Sequence, residues 1–170
     1  VDDHDVAALD ALPEDRFVAA AAPWFEGAPR FLRRLADGRP FGDAATLFGR
    51  AGEIALAMPE PEQLELIDAH PRLGAPPATV SASSFHEQGY DRETTEAIAD
   101  LELMNAAYEA RFGFRFCVFV NGRSRPELVP VFEAALTADR DAEIRRALRD
   151  VVAIARDRFG KAASPAGALT

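Results

Sequence analysis

The sequence predicts an all-α fold, a single compact helical-bundle domain over residues 1–170, on three observations. Apolar residues recur at helical spacing through most of the chain. Short Pro/Gly clusters separate these stretches, with no long linker and no internal repeat. The one segment of strand-like composition, Phe112–Val120, has no second strand to satisfy its backbone.

The elements follow in order. Asp2, Asp3 and Asp5 make an acidic start, and residues 1–6 and 162–170 are expected to be flexible ends. Pro13 stands where a first helical turn accepts proline, ahead of "EDRFVAAAA". Asp43 is a fitting N-cap for "AATLFGRAGEIALAM", which stops before Pro59. "PEQLELIDA" follows as a helix ending at His70, and an irregular stretch runs from Pro71 to about Ser83. A long helix from about Thr94 to Arg111 carries Ile98, Leu101, Tyr108 and Phe112 on one period, with Met104 and Asn105 between. "FGFRFCVFV" then reads as a buried segment packed among helices, partly helical or extended, in which Gly113 could bring backbone close to a ligand. Ser124 and Glu127 have capping-box spacing around Arg125-Pro126, so a helix begins there. A last helix covers Asp141–Phe159, with Ile144, Leu148, Val151, Val152 and Ala155 on one face.

Composition narrows the function. With 48% apolar and 28% charged residues the chain is an ordinary globular protein. A net charge of -9 argues against nucleic acid, whose phosphates need a basic face, but leaves room for a local cluster of arginines that binds a small anion. Cys117 is the only cysteine, so no internal disulfide can form and a reducing, cytoplasmic setting is expected. No signal peptide or membrane span is expected, and "GALT" carries no peroxisomal or retention signal.

The residues that could carry chemistry are few. The three histidines, His4, His70 and His86, have no metal-ligand spacing, so no metal is expected. No phosphate loop, dinucleotide fingerprint or serine elbow is present. His70 lies before Pro71, where it either ends a helix or faces a site. Ser84-Phe85-His86-Glu87 has capping-box spacing, and with Gln88 it also offers a hydroxyl, a carboxylate and an amide to a ligand. Cys117, inside an aromatic run, reads as a buried inert thiol. Helical spacing puts Arg156 and Arg158 on different faces, so at most one points inward.

"AHPRLG", "SSFHEQ" and "NAAYEARFGFRFCVFVNGRS", in that order, resemble the OHCU (2-oxo-4-hydroxy-4-carboxy-5-ureidoimidazoline) decarboxylases of urate breakdown. The likeness extends to "LPEDRF", "FEGAP", "GRPF" and "IARDRF", nearly the whole chain, and the ordered combination is specific where each motif alone is weak. It implies an all-α cytoplasmic homodimer that decarboxylates an anionic ureidoimidazoline to (S)-allantoin without metal or organic cofactor. His70 and Glu87 would be catalytic. Pro71, Ser84, Phe85, His86, Glu87, Gln88, Phe116, Cys117, Val118, Phe119, Val120 and Arg158 would meet the substrate. Arg158 matches better than Arg156 because Phe159 follows it. His70, titrating near neutral pH, would move the proton. Arg30 departs from the family's usual aromatic, and the stretch from Gln88 to Tyr108 is short. No transthyretin-like domain, and so no fused hydrolase, is expected. A catalytically silent ligand-binding protein of this fold, or a related ureido-acid lyase, is the alternative.

Overall fold

The computed structural model describes residues 5–74 and 95–162. Among them the chain forms eight α-helices and no strand: α1 (Val6–Asp10), α2 (Glu14–Ala21), α3 (Pro29–Asp37), α4 (Ala44–Ala57), α5 (Glu60–Asp68), α6 (Thr95–Phe112), α7 (Arg125–Thr137) and α8 (Arg140–Ala162). A single 3₁₀ turn, Ala22–Trp24, follows α2. No helix among the described residues is long and apolar enough to cross a membrane.

Local signals place most of these elements. The Asp43 carboxylate accepts from Thr46 N–H at 2.7 Å, capping α4 where the sequence puts its start. Glu127 accepts from Ser124 N–H at 2.8 Å and completes the capping box of α7. α1 is capped in the same way: Asp5 accepts from Ala7 N–H at 3.0 Å, and Val6 and Leu9 are buried. At the other end Ala162 still belongs to α8. α5 stops at Asp68, two residues before the predicted end, so His70 lies beyond the helix.

The sequence reading did not assign α1 or α3. α3 buries Phe31, Leu32, Leu35 and Ala36 on one face and sets Arg30, Arg33 and Arg34 on the other, an amphipathic pattern that the sequence reading passed over. Those arginines tie α3 to α5. Arg34 forks onto Glu62 at 2.6 and 2.9 Å, and Arg30 pairs with Glu65. The basic residue at position 30 is therefore a surface tie between two helices.

α8 is the axis of the fold and packs on α4, α5 and the 3₁₀ turn. It buries Ile144, Ala147, Leu148, Val151, Ile154, Ala155 and Phe159 along one side. Phe159 meets Trp24 edge-on at 5.1 Å and Phe48 at 5.5 Å, favourable aromatic geometry worth about 0.5–1.5 kcal/mol per pair beyond area burial. These contacts fix the rotation of α8 about its axis, which decides where its polar residues point.

The aromatic segment after α6 is neither helix nor strand. α6 ends on Gly113, whose φ of 79° suits a residue without Cβ and whose N–H bonds Glu109 O at 2.9 Å. From Phe114 to Val120 the chain runs buried without a neighbouring strand, and charged side chains take the strand's place. Asp68 accepts from Arg115 N–H at 2.8 Å and Asp150 from Phe119 N–H at 3.2 Å. Arg146 donates to Cys117 O at 3.0 Å, and Arg123 donates to Phe119 O and Val120 O. These bonds meet the need of a buried backbone for partners.

Arg146 also binds Glu143 through both oxygens (2.9 and 3.1 Å from Nε), and the buried Tyr108 hydroxyl donates to Glu143 at 2.7 Å. Burial works against the charge on Arg146, but the Glu143 contact outweighs it and raises the guanidinium's pKa. Burial, then Glu143, raise the Tyr108 phenol, and burial raises the Asp150 carboxyl despite Arg146 beside it. Replacing Arg146 by Met is expected to cost about 3–5 kcal/mol, because the Glu143 carboxylate would stay buried without its cation. Urea denaturation measures this, and a loss below about 1 kcal/mol would show that Glu143 finds other compensation.

Candidate active site

A cavity of ≈ 270 Å³ opens where the end of α5, the 116–122 segment and the C-terminal half of α8 meet. His70, Pro71 and Leu73 come from the first, and Phe116 to Gly122 form a second wall. α8 contributes Ile154, Asp157, Arg158 and Lys161, the i, i+3, i+4, i+7 stripe of one helical face. That stripe is a readable signal that the sequence analysis used only at Arg158. Arg158 is buried and Arg156 exposed. Gly113, considered for close ligand approach, does not line the cavity.

His70 is 3% exposed. Its Nδ1 lies 3.2 Å from Leu66 O, and a carbonyl only accepts, so Nδ1 carries the proton. Nε2 is then a bare lone pair, buried and without a partner among the described residues. Burial, then the charge of Arg158, push the imidazole pKa down to about 4, against the opposing effects of Glu26 and the Leu66 carbonyl. This corrects the expected near-neutral titration. At pH 7 the ring is neutral, and it enters any reaction as an acceptor.

The main chain around His70 is held from outside the cavity. His70 N–H bonds Ile67 O at 3.1 Å, and Arg115 donates to Asp68 O at 2.8 Å and His70 O at 3.4 Å. Arg158 donates to Pro23 O at 3.0 Å and through Nη2 to Glu26 at 2.9 Å. Lys161 pairs with Asp157 at 2.6 Å.

Along the second wall, Arg115, Cys117 and Phe119 turn their main-chain bonds to Asp68, Arg146 and Asp150. No hydrogen bond among the described residues ties the main chain of Phe116 or Val118. From Phe116 to Val120 the side chains of this wall are apolar, and Asn121 follows them.

The structure thus brings together His70, Pro71, Phe116, Cys117, Val118, Phe119, Val120 and Arg158. Ser84, Phe85, His86, Glu87 and Gln88 lie outside the described residues. Sequence reasoning missed Leu73, Asn121, Gly122, Ile154, Asp157 and Lys161, and it missed Glu26 behind Arg158. The set can accept a proton at Nε2, bind an anionic group with a guanidinium, and exclude water along an apolar wall.

Residues 10–160 match the family OHCU decarboxylase. The chain is 32% identical over 138 residues to the uric acid degradation bifunctional protein PucL of Bacillus subtilis, covering 79% of this chain and 28% of that one. A second bifunctional uric acid degradation protein, from a Bacillus species, is 26% identical over 89% of this chain and 30% of its own length, so the chain spans under a third of either. The 2-oxo-4-hydroxy-4-carboxy-5-ureidoimidazoline decarboxylase of Haloferax volcanii is 26% identical over 90% of this chain and 92% of its own length. Among solved structures, an OHCU decarboxylase crystallised in the presence of (S)-allantoin superposes with a TM-score of 0.66 at 20% identity, covering 79% of this chain and 91% of that one. An (S)-allantoin synthase gives a TM-score of 0.68 at 17% identity over 92% of this chain and 53% of its own. These two likenesses bear on the fold. On the family match over residues 10–160, the chain belongs to the OHCU decarboxylase family.

Proposed function

We propose that this chain decarboxylates 2-oxo-4-hydroxy-4-carboxy-5-ureidoimidazoline to (S)-allantoin in urate breakdown. The observation that carries the reading is a neutral imidazole with an unpartnered Nε2 sharing one cavity with the Arg158 guanidinium. In the reaction the bond from ring carbon to carboxylate breaks. Its electron pair forms a double bond to the neighbouring ureido-bearing carbon, and the C=N pair moves onto nitrogen, which takes up a proton. The resulting enol loses its hydroxyl proton to become a carbonyl, and the ureido-bearing carbon gains a proton on one face, which sets the product's handedness.

Each need has a candidate residue. Arg158 orients the substrate carboxylate by charge-assisted hydrogen bonds. The 116–120 wall removes water from that carboxylate, and its unbonded amide groups suit the ring and ureido nitrogens and oxygens. His70 Nε2 accepts the hydroxyl proton. By the family likeness, Glu87 steadies the hydroxyl or the imidazole, while Ser84 and Gln88 read the ureido group. Phe85 and His86 complete that segment. The same likeness supports a cytoplasmic homodimer working without a cofactor, and dialysis against a strong chelator is expected to leave turnover unchanged. A loss restored by a divalent ion would overturn that.

The test is incubation with freshly generated substrate, followed by circular dichroism. A single allantoin enantiomer formed faster than in buffer supports the reading, and a racemate at the buffer rate overturns it. For the 84–88 segment, Ser84→Ala is expected to cost about 1 kcal/mol as a lost cap and to raise KM besides. Glu87→Gln acts mainly on kcat. Unchanged kcat/KM in both variants would reduce the segment to a helix cap.

A further inference from the structure

We infer that Glu26, on the turn between the 3₁₀ helix and α3, is a positioning residue of this site that holds the Arg158 guanidinium in its working orientation. The inference rests on the proposed decarboxylase reading for its kinetic part and on geometry for the rest.

Glu26 has a φ of 51°, and the only other non-glycine residue with positive φ among the described residues is Asn121. Asparagine tolerates the left-handed region, whereas a long side chain such as glutamate gains nothing from it. Glycine would suit that backbone, and Gly27 directly follows. A glutamate kept in such a conformation implies use of its side chain, since strained residues persist where the surroundings over-determine them. Here the use is visible. The carboxylate meets Arg158 Nη2 at 2.9 Å, with side-chain exposures of 15% and 6%, and the partners lie 132 residues apart in sequence.

Arg158 Nη1 also donates into the same turn, to Pro23 O at 3.0 Å and Trp24 O at 3.5 Å. One turn therefore cradles one side of the guanidinium. The turn is itself fixed: Gly27 N–H bonds Ala22 O at 2.9 Å, Phe25 is fully buried against Phe31 at 4.8 Å, and Trp24 meets Phe159. Glu26 also offsets the charge of Arg158 where both act on His70. Arg158 then reads a carboxylate by its planar fork, with its charge balanced from behind.

The test uses Glu26→Gly, which suits the backbone and removes the carboxylate, with Glu26→Gln keeping one acceptor oxygen. If Glu26 served only the fold, Glu26→Gly would leave the Arg158 environment and the kinetics unchanged. In substrate-free protein, ¹⁵N spectra of the guanidinium, assigned with Arg158→Lys, should show hindered rotation in the unmodified chain. Averaged signals are expected in Glu26→Gly, and partly retained hindrance in Glu26→Gln. With substrate, kcat/KM should fall at least tenfold in Glu26→Gly, mostly through KM, and by less in Glu26→Gln. A folded Glu26→Gly with unchanged Arg158 signals and unchanged KM overturns the inference. Should the unmodified chain form no allantoin, the functional reading fails, and the guanidinium spectra still decide the role of Glu26.

Discussion

His70→Asn is expected to lower kcat/KM by roughly 10²–10⁴, the usual effect of removing an acid–base group, while the chain remains folded at pH 7. The backbone at this position is set by Pro71 after it and by Arg115 on its carbonyl, so the imidazole is not needed to shape the turn. In the unmodified chain, activity should be lost as pH falls through about 4, where Nε2 takes a proton, and that limb should vanish in the variant. The same residue governs acid stability. Its folded pKa of about 4 lies below the ordinary 6.5, so between these values the unfolded chain binds more protons. Stability is therefore full above about pH 6.5 and declines toward pH 4. The gap corresponds to about 3 kcal/mol at about 1.4 kcal/mol per pH unit. Urea denaturation from pH 7 to 4.5 should show a smaller acid-side loss for His70→Asn. Equal loss in both proteins, or undiminished turnover in the variant, would make His70 a helix-end residue only.

Arg158→Lys should lower kcat/KM by roughly 10–100-fold, although charge is retained. An ammonium cannot reach Pro23 O and Glu26 while presenting a planar fork to a substrate carboxylate. Arg156→Lys, at an exposed position on the other face of α8, should stay within about twofold. Steady-state kinetics on the two variants decide the matter, and the reverse ranking would place the wrong arginine in the site.

Where an element's information was local, the sequence carried it. Asp43 and the Ser124–Glu127 pair mark the starts of α4 and α7, and the Ile144–Ala155 stripe marks α8. α3 was equally legible, with Pro29 at its start and Phe31, Leu32, Leu35 and Ala36 on one face, and was passed over; only its ties to Glu62 and Glu65 on another helix lay beyond local information. The same limit applied in the site. Helical spacing alone left Arg156 and Arg158 open, and the likeness to the family, with Phe159 after Arg158, chose between them. Glu26 acts across 132 residues, and only the folded turn brings it to Arg158. The pKa of His70 was misjudged because a reference imidazole is solvated, and this one is not.

The support of residues 114–120 by side chains has a consequence for how the protein fails. "FGFRFCVFV" is apolar, β-branched and aromatic, with Arg115 as its single charge, the composition that assembles into intermolecular sheets when left bare. In a β-protein such a strand keeps its neighbours through partial unfolding. Here two of its backbone partners, Arg146 and Asp150, sit on α8, so a fluctuation that lifts α8 withdraws both together and leaves Cys117 O and Phe119 N–H unpaired. Heating should therefore end in aggregation rather than reversible melting, with the scanned transition moving with heating rate. The ionic cluster behind the cavity thus doubles as protection against self-association.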